Sequence, residues 1–441
     1  NIVRSIFSIS AIFGISKISR ELFNKEIGKI VFVLCFFNPI FFGHMASSSM
    51  DMLITFCNVW LLYLIIKYLK NQNNSEKLNK YIILIALTLG VGLGVRLTFI
   101  ATIIPFLLFL LAEIIWLKNF ITENFSLKKF FFDLFKILFI AYFTLILFWP
   151  HTHDNVFILP FKLAVEGLKF PFGVPYVLFN EEIFFTRELP ISYLLINLFY
   201  KMPEYLIISF CIYFVLFFQL GNFFRKSLKN YNSKIGLIFF IIIFPNIFIL
   251  FSPYSIYDGL RLFLYLIPFI SIIPSVLIYF LYKNIKKNSF KIIFISLFFL
   301  KLFYLYSFIS LTPYQYVYIN SFSGKFSENY KKFENDYNGV SIRELLTSLK
   351  KDNEIFKKNS VKLAVCGIPD TNLTMYLKKF KNFNYEIVNQ NSNYDYIVMN
   401  NRAIWTIIDK NSDLKNYTCY QKYAGTDIAT VSRKGLILSR I

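Results

Sequence analysis

The chain has 441 residues, of which 56% are hydrophobic and 20% aromatic, and its formal net charge is +21. So large an apolar fraction excludes an ordinary soluble protein, because many stretches reach the roughly 17–25 apolar residues that cross a bilayer. The positive charge does not indicate nucleic acid, since the lysines lie in short loops between apolar runs. We therefore predict a polytopic all-α membrane domain, in which each span satisfies its own backbone hydrogen bonds.

Hydropathy predicts about ten membrane spans. They lie near residues 3–18, 29–44, 51–69, 80–95, 97–117, 130–149, 203–220, 235–252, 261–282 and 290–311. Asn38-Pro39 interrupts the second span. Gly90, Gly92, Gly94 and Arg96 break the chain between the fourth and the fifth.

The orientation of the spans follows from the basic loops. In a ten-span arrangement all of the lysine- and arginine-rich loops fall on one side, near residues 17–29, 67–80, 118–129, 225–234 and 283–291. That side should be cytoplasmic. The loops 44–50 and 253–260 contain no Lys or Arg. We therefore expect His44, Asp51, the loop 150–202 and the tail 312–441 to face outward, in the periplasm of a bacterial inner membrane.

The predicted elements outside the spans lie in the long loop and the tail. Phe157 to Leu168 resembles an interfacial helix, and Gly173, Pro175 and Pro190 punctuate the residues that follow. The tail alternates helices, 341–358 and 371–380, with strands, 361–367, 394–400 and 428–432. This alternation predicts a C-terminal extracytoplasmic α/β domain, so we expect one domain over 1–311 and another over 312–441. Cys366 and Cys419 could pair there, but the sequence does not fix the connectivity.

Asp51 is the first candidate for a functional side chain, at the mouth of an apolar helix. A carboxylate at such a place is costly to keep and usually has a task. Asp51 could be catalytic, or could hold a divalent cation, Mg²⁺ or Mn²⁺, that bridges a phosphate. The alternative is a first-turn acid that favours the helix dipole, with Ser48 or Ser49 as the cap. His44 is a candidate substrate contact, and its alternative is a satisfied histidine at the membrane surface.

The outer loop supplies further candidates. Glu181 and Glu182 could act in acid/base chemistry or contact sugar hydroxyls. His151 and Tyr193 are candidate substrate contacts. The run His151-Thr152-His153-Asp154 lacks a third defined ligand, so it is a weak metal signal.

Three cations near the outer face are candidate phosphate ligands. Arg261, in the run Tyr257-Asp258-Gly259-Leu260-Arg261, could clamp a phosphate with two parallel hydrogen bonds. Lys201 and Arg96 could serve the same purpose with less specificity. The alternative for Arg261 is an interfacial arginine that extends its head towards water.

Four segments, taken in order, resemble the GT-C superfamily of membrane glycosyltransferases. They are NPIFFGHMASSSMD, RELPISYLLINLFYKMP, YDGLRLFLYLIP, and TPYQYVYINSFSG followed by FENDYNGVS. The similarity is greatest to the protein mannosyltransferase-like and aminoarabinose-transferase-like branch. Asn180, Ile191 and Leu262 stand where family members often have Gly, Trp and His, which puts substrate detail in doubt.

The resemblance implies a function and roles for single residues. It implies sugar transfer from a polyprenyl-phosphate donor to a lipid, glycan or protein acceptor, at the outer face of the membrane and with inversion. Asp51 matches an acid associated with metal or donor phosphate, Glu181 or Glu182 matches a loop acid, and Arg261 matches an arginine near that phosphate. The main catalytic acid of the family would lie upstream of Asn1, so we expect a preceding segment.

Two other functions stay open at this point. One is a transporter or flippase for a lipid-linked or anionic solute, although the repeated halves common in transporters are not found in the sequence. The other is an oligosaccharide ligase or polymerase, which would use pyrophosphate-linked donors.

Overall fold

The structure is a computed structural model. It describes residues 2–118, 120–121, 125–169, 174–251, 255–352, 360–379, 383–404, 418–423 and 425–441. Its contacts divide the chain into two compact units. The helical unit comprises Asn1–Pro171, Tyr205–Ser252 and Phe263–Phe303, and the α/β unit comprises Phe172–Glu204, Pro253–Leu262 and Tyr304–Ile441.

The helices and strands are numbered in chain order. The helices are α1 Ile2–Leu22, α2 Lys25–Phe36, α3 Pro39–His44, α4 Ser49–Lys70, α5 Ser75–Val95, α6 Phe99–Ala112, α7 Leu127–Phe148, α8 Leu159–Lys169, α9 Tyr193–Lys201, α10 Glu204–Val215, α11 Phe217–Arg225, α12 Tyr231–Phe251, α13 Leu266–Ile270, α14 Ile272–Lys283, α15 Asn288–Ser310, α16 Ile342–Asp352, α17 Asp370–Leu377 and α18 Cys419–Lys422. The strands are β1 Tyr176–Phe179, β2 Glu182–Phe185, β3 Val361–Cys366, β4 Tyr385–Ile387, β5 Tyr396–Asn400, β6 Thr430–Arg433 and β7 Leu436–Arg440.

The predicted membrane domain is confirmed as a set of long apolar helices. Within the described ranges, eight helices are long and apolar enough to cross a membrane, or up to nine if α9 and α10 count as one span. The span predicted at 29–44 is instead two short helices, α2 and α3. Asn38 causes this break, because its side chain accepts a hydrogen bond from the Phe41 backbone N–H at 3.1 Å, while Pro39 begins α3.

Glycines let two of the long helices approach each other closely. A Cβ atom at Gly90 of α5 would lie 2.6 Å from the Ala141 carbonyl oxygen of α7. One at Gly94 would lie 2.9 Å from the Phe148 side chain. Small residues serve this purpose in membrane helix pairs. The sequence predicted that these glycines interrupt the chain between two spans. In the structure α5 continues through all of them and ends at Val95.

The α/β unit contains a five-stranded sheet of order β4-β3-β5-β7-β6. β3 pairs in parallel with β4 and β5, whereas β7 runs antiparallel to β5 and β6. The predicted strands correspond to β3, β5 and β6, and β4 and β7 were not predicted. The predicted helices correspond to α16 and α17, although 353–359 and Phe380 lie outside the described residues.

Residues of the long loop also belong to the α/β unit. β1 and β2 form a hairpin whose turn residues, Asn180 and Glu181, both have positive φ angles, as a tight two-residue hairpin turn requires. The predicted interfacial helix is α8, and Gly173 is outside the described residues. Contacts group 172–204 and 253–262 with the C-terminal residues, and the division at 311/312 stays a prediction.

A disulfide joins Cys366 at the end of β3 to Cys419 at the start of α18, with 5.8 Å between the Cα atoms. It packs with Met399, Ile404 and Tyr420 in a buried cluster. The sequence left this pairing open, and the structure forms it.

Candidate functional site

Asp51 lies in the first turn of α4 and is almost fully buried, with 4% of its surface exposed. Its Oδ1 accepts a hydrogen bond from Arg96 Nη1 at 2.8 Å, and its Oδ2 accepts one from the Ser48 hydroxyl at 2.5 Å. Ser48 does not cap the helix with its side chain. A buried carboxylate is stable only when it is paired and hydrogen-bonded, and Asp51 meets both conditions.

Arg96 reaches Asp51 because it terminates α5. Its backbone is extended, with φ −159°, and its N–H donates to the Gly92 carbonyl. The guanidinium is the less buried partner of the ion pair, with 22% of its side chain exposed against 3% for Asp51. A ligand could therefore reach this ion pair at Arg96, whereas Asp51 is shielded.

His44 is fully buried at the end of α3. Its Nδ1 lies 2.7 Å from the Ile40 carbonyl oxygen. Because a carbonyl oxygen only accepts, Nδ1 carries the proton in this contact. His44 therefore fixes the end of α3.

A metal at Asp51 is not supported by the side chains present. Both carboxylate oxygens are engaged by Arg96 and Ser48. In the part of the chain that the structure describes, no group of three or more His, Cys, Asp or Glu side chains is placed to hold a metal ion. Since a hard divalent cation needs several oxygen ligands, the predicted Mg²⁺ or Mn²⁺ role of Asp51 is corrected to an arginine pair.

A second charged group lies within the α/β unit, and we call it the cation cluster: Lys201, Arg261 and Arg402 with the carboxylates Asp258 and Glu334. Asp258, 1% exposed, is at its centre. Its Oδ2 accepts from Arg261 Nη1 at 2.7 Å, and its Oδ1 accepts from Arg402 Nη2 at 2.7 Å. One carboxylate thus joins two arginines.

Lys201 brings an additional cation to the cluster. It ends α9 and is 5% exposed, and within the described residues it has no hydrogen bond or ion pair. Its Nζ lies beside Gly259: a Cβ atom added to Gly259 would be 2.1 Å from Lys201 Nζ. Gly259 has φ +61°, a conformation that glycine adopts without strain. Its N–H donates to the Tyr193 hydroxyl at 3.0 Å, which ties this turn to α9.

Glu334 is the second carboxylate of the cluster. It is 5% exposed, accepts a hydrogen bond from the Ala403 N–H at 3.0 Å, and lies 3.9 Å from Arg402 Nε. Burial raises the pKa of Glu334 to about 7, although Arg402 acts in the opposite direction. Arg402 also donates from Nη1 to the Tyr337 carbonyl at 2.8 Å.

Three predicted site residues lie apart from these groups. Glu181 is exposed in the β1–β2 turn, 3.5 Å from Lys332 Nζ, and Glu182 is exposed at the start of β2. Neither makes a described contact with the cation cluster of its own unit. His151 is exposed in a 3₁₀ helix, Pro150–Asn155. The structure therefore brings together Lys201, Arg261 and Tyr193, and separately Asp51 and Arg96.

Sequence reasoning missed Asp258, Glu334 and Arg402 as site residues. Asp258 and Glu334 lie in the segments that carry the family resemblance, so a signal for them was present. Arg402 had none, because its partner Asp258 is 144 residues away in the sequence.

Comparison with known proteins agrees with the family resemblance. The model of the dolichyl-phosphate-mannose-protein mannosyltransferase family matches residues 1–152. This part of the chain is similar to that family. The matched segment includes Asp51 and Arg96, and the cation cluster lies beyond it. No curated protein matches the chain significantly.

Among solved structures, ArnT from Cupriavidus metallidurans bound to undecaprenyl phosphate has a TM-score of 0.49 at 11% identity, covering 99% of this chain and 83% of that one. The same protein in its apo state has a TM-score of 0.45 at 12% identity, covering 89% and 71%. Similarity of this degree carries no conclusion about function.

Proposed function

We propose that the chain is a membrane glycosyltransferase that moves a sugar from a polyprenyl-phosphate donor to a lipid, glycan or protein acceptor. The family match over residues 1–152 supports the class. The observation that carries the proposal is the cation cluster, in which three cations face two carboxylates and buried Lys201 has no hydrogen bond or ion pair within the described residues. Such a surplus of buried positive charge fits an anionic ligand.

The phosphate of a lipid-linked donor has the chemistry that this cluster would recognise. Arginine and lysine differ in how they bind it, since a guanidinium offers a planar fork and an ammonium offers a compact charge. The cluster contains both types, as Arg261 and Lys201. Charge-assisted hydrogen bonds of this kind are about twice as strong as neutral ones, and they would stabilise the phosphate as it leaves.

The transfer itself exchanges one bond for another. The acceptor oxygen forms a bond to the anomeric carbon while the bond between that carbon and the donor phosphate oxygen breaks, and a general base takes the acceptor proton. In this proposal Asp51 holds Arg96 in place to orient the donor. Glu181, Glu182 and His151 are exposed and remain proposals for contact with the acceptor.

The place of the reaction is the outer face of the membrane. The basic loops of the sequence support this orientation. The Cys366–Cys419 disulfide supports it as well, because disulfides persist mainly in oxidising compartments.

The test is donor turnover by the full chain in vesicles. Synthetic undecaprenyl-phosphate sugars are supplied with a membrane extract as acceptor, and released undecaprenyl phosphate is measured over time. We expect release by the wild type and its loss in the double variant Lys201→Met, Arg261→Met. Consumption of pyrophosphate-linked oligosaccharide alone would favour the ligase alternative. Movement of the intact donor across the bilayer without cleavage would favour the transporter.

A further inference from the structure

Arg402 is not one of the residues that the proposed function assigns to the donor phosphate, yet it shares a carboxylate with one of them. We propose that Arg402 is a positioning residue for the phosphate site. It fixes Arg261 through Asp258, so that both oxygens of this carboxylate are hydrogen-bonded to arginines and neither to Lys201. This inference rests on the proposed function, since it presumes that Arg261 and Lys201 receive the donor phosphate.

The geometry around Asp258 supports this role. Each of its oxygens accepts from a different arginine at 2.7 Å, Oδ2 from Arg261 and Oδ1 from Arg402. Asp258 and Arg261 are three residues apart in one turn, so they could pair through both oxygens if Arg402 were absent. Arg402 occupies Oδ1 and so confines Arg261 to Oδ2 of this carboxylate.

The chain holds Arg402 in place from several directions. Its Nη1 donates to the Tyr337 carbonyl at 2.8 Å, and its Nε lies 3.9 Å from Glu334. Its own carbonyl accepts from the Cys419 N–H at 3.0 Å, next to the disulfide. A lysine could not satisfy these directions, because its ammonium is one point charge and not a planar fork.

The charge balance explains why this arrangement suits a phosphate. A buried arginine that only stabilised the fold would be expected to balance its carboxylates, since unbalanced buried charge is destabilising. Here the cations outnumber the carboxylates by one when all five groups are ionised. Because both Asp258 oxygens are hydrogen-bonded to arginines, Lys201 makes no hydrogen bond to this carboxylate, and its ammonium donors remain for an anion.

Glu334 gives the arrangement a dependence on pH. The charged and titratable groups that face it are Arg402, Asp258, Lys201 and Tyr193. Burial raises the pKa of Glu334 to about 7, and Arg402 lowers it from a still higher value. Above that pH the ionised Glu334 adds a negative charge, so affinity for an anion falls. Below it Glu334 is neutral and the surplus positive charge is greater.

The experiment measures undecaprenyl phosphate binding to the full chain in nanodiscs of neutral lipid between pH 6 and pH 8. In Arg402→Met we expect affinity to fall about 10-fold, as for the loss of one charge-assisted contact. We also expect the pH midpoint to move upward, because the cation that favours ionised Glu334 is gone. Arg402→Lys should recover only part of the affinity. The phosphate monoester itself gains charge over this range, and burial lowers the pKa of Lys201 to about 8. The contribution of Glu334 is therefore the difference between the pH profiles of the wild type and Glu334→Gln, and we expect the variant to lack the fall in affinity near pH 7.

Arg433→Met is the matched control. Arg433 pairs with Glu344 at 2.8 Å in the same unit, outside the cation cluster. It should lower the melting temperature without changing affinity or the pH midpoint. If Arg402→Met does not fold, Arg402→Lys and Glu334→Gln test the same claim. Wild-type affinity and midpoint in the Arg402 variants would overturn this inference alone, whereas failure of the wild type to bind would overturn it together with the proposed function.

Discussion

The helical unit and the α/β unit each bury a carboxylate against an arginine, but the two sites differ in charge balance. Asp51 has one arginine and one hydroxyl as partners, and the pair is neutral. Asp258 is shared by two arginines, and Lys201 adds a third cation near a second acid, Glu334. A neutral pair holds an arginine in position, whereas a surplus of cations leaves charge for a ligand. In the proposed function, the first site therefore holds an arginine in position and the second binds the anion.

The largest effect should follow from Asp51→Asn. This change leaves Arg96 without its buried counter-charge, so the arginine is no longer held in one direction. We expect donor turnover to fall by ~10²-fold or more, as for loss of a preorganised electrostatic group. The measurement is release of undecaprenyl phosphate from an undecaprenyl-phosphate sugar. Glu26→Gln, which removes an exposed acid in α2, is the control and should keep the wild-type rate; a wild-type rate in Asp51→Asn would remove Asp51 from the site.

Gly259→Ala tests whether the second site depends on close approach of Lys201. The new Cβ atom would lie 2.1 Å from Lys201 Nζ, and φ +61° is strained for alanine. We expect undecaprenyl phosphate affinity to fall about 10-fold, measured by titration in nanodiscs. Gly425→Ala is matched to it, because an added Cβ atom there would meet no described atom within 4 Å beyond the chain neighbours. Equal affinities in the two alanine variants would mean that Lys201 does not bind the phosphate.

Removal of the disulfide should affect stability more than chemistry. In the double variant Cys366→Ser, Cys419→Ser we expect the α/β unit to lose about 2–5 kcal/mol of unfolding free energy. Urea titration followed by limited proteolysis of that unit measures the loss. Reductant should lower the urea midpoint of the wild type by the same amount. Cys211→Ser, which changes an unpaired exposed cysteine, should leave the midpoint unchanged. An unchanged midpoint in the double variant would show that the bond does not form in the native protein.

The smallest effect should come from Tyr193→Phe. The Tyr193 hydroxyl accepts the Gly259 N–H at 3.0 Å inside the protein, and losing one such neutral hydrogen bond costs about 1 kcal/mol. We therefore expect a few-fold loss of undecaprenyl phosphate affinity. An effect as large as that of Gly259→Ala would instead give the hydroxyl a direct role in binding.

Much of the helical unit could be predicted from the sequence because lipid imposes a simple rule on each span. Hydropathy located eight of the long helices, and Asn38-Pro39 marked the break between α2 and α3. The short strands β4 and β7 were missed because their positions depend on pairing with distant segments. The pairing of Cys366 with Cys419 stayed open for the same reason.

Candidate site residues could be predicted only where a charge was conspicuous in or beside an apolar segment. Asp51, Lys201 and Arg261 were chosen in this way, and their roles stay predictions. Arg402 was missed because it follows a strand in a polar domain. Its partner, Asp258, lies 144 residues earlier in the sequence. The exposure of the Glu181 turn could not be predicted, because it depends on how the β1–β2 hairpin packs in its unit.

The most direct test of the central claim is a structure of the full chain with undecaprenyl phosphate in a lipid nanodisc, determined by electron cryomicroscopy. The account predicts that the phosphate lies within hydrogen-bond distance of Lys201 Nζ, about 3 Å, and contacts the Arg261 guanidinium, with Asp258 still bonded to Arg402. A phosphate bound at another position, with Lys201 and Arg261 unliganded, would contradict it.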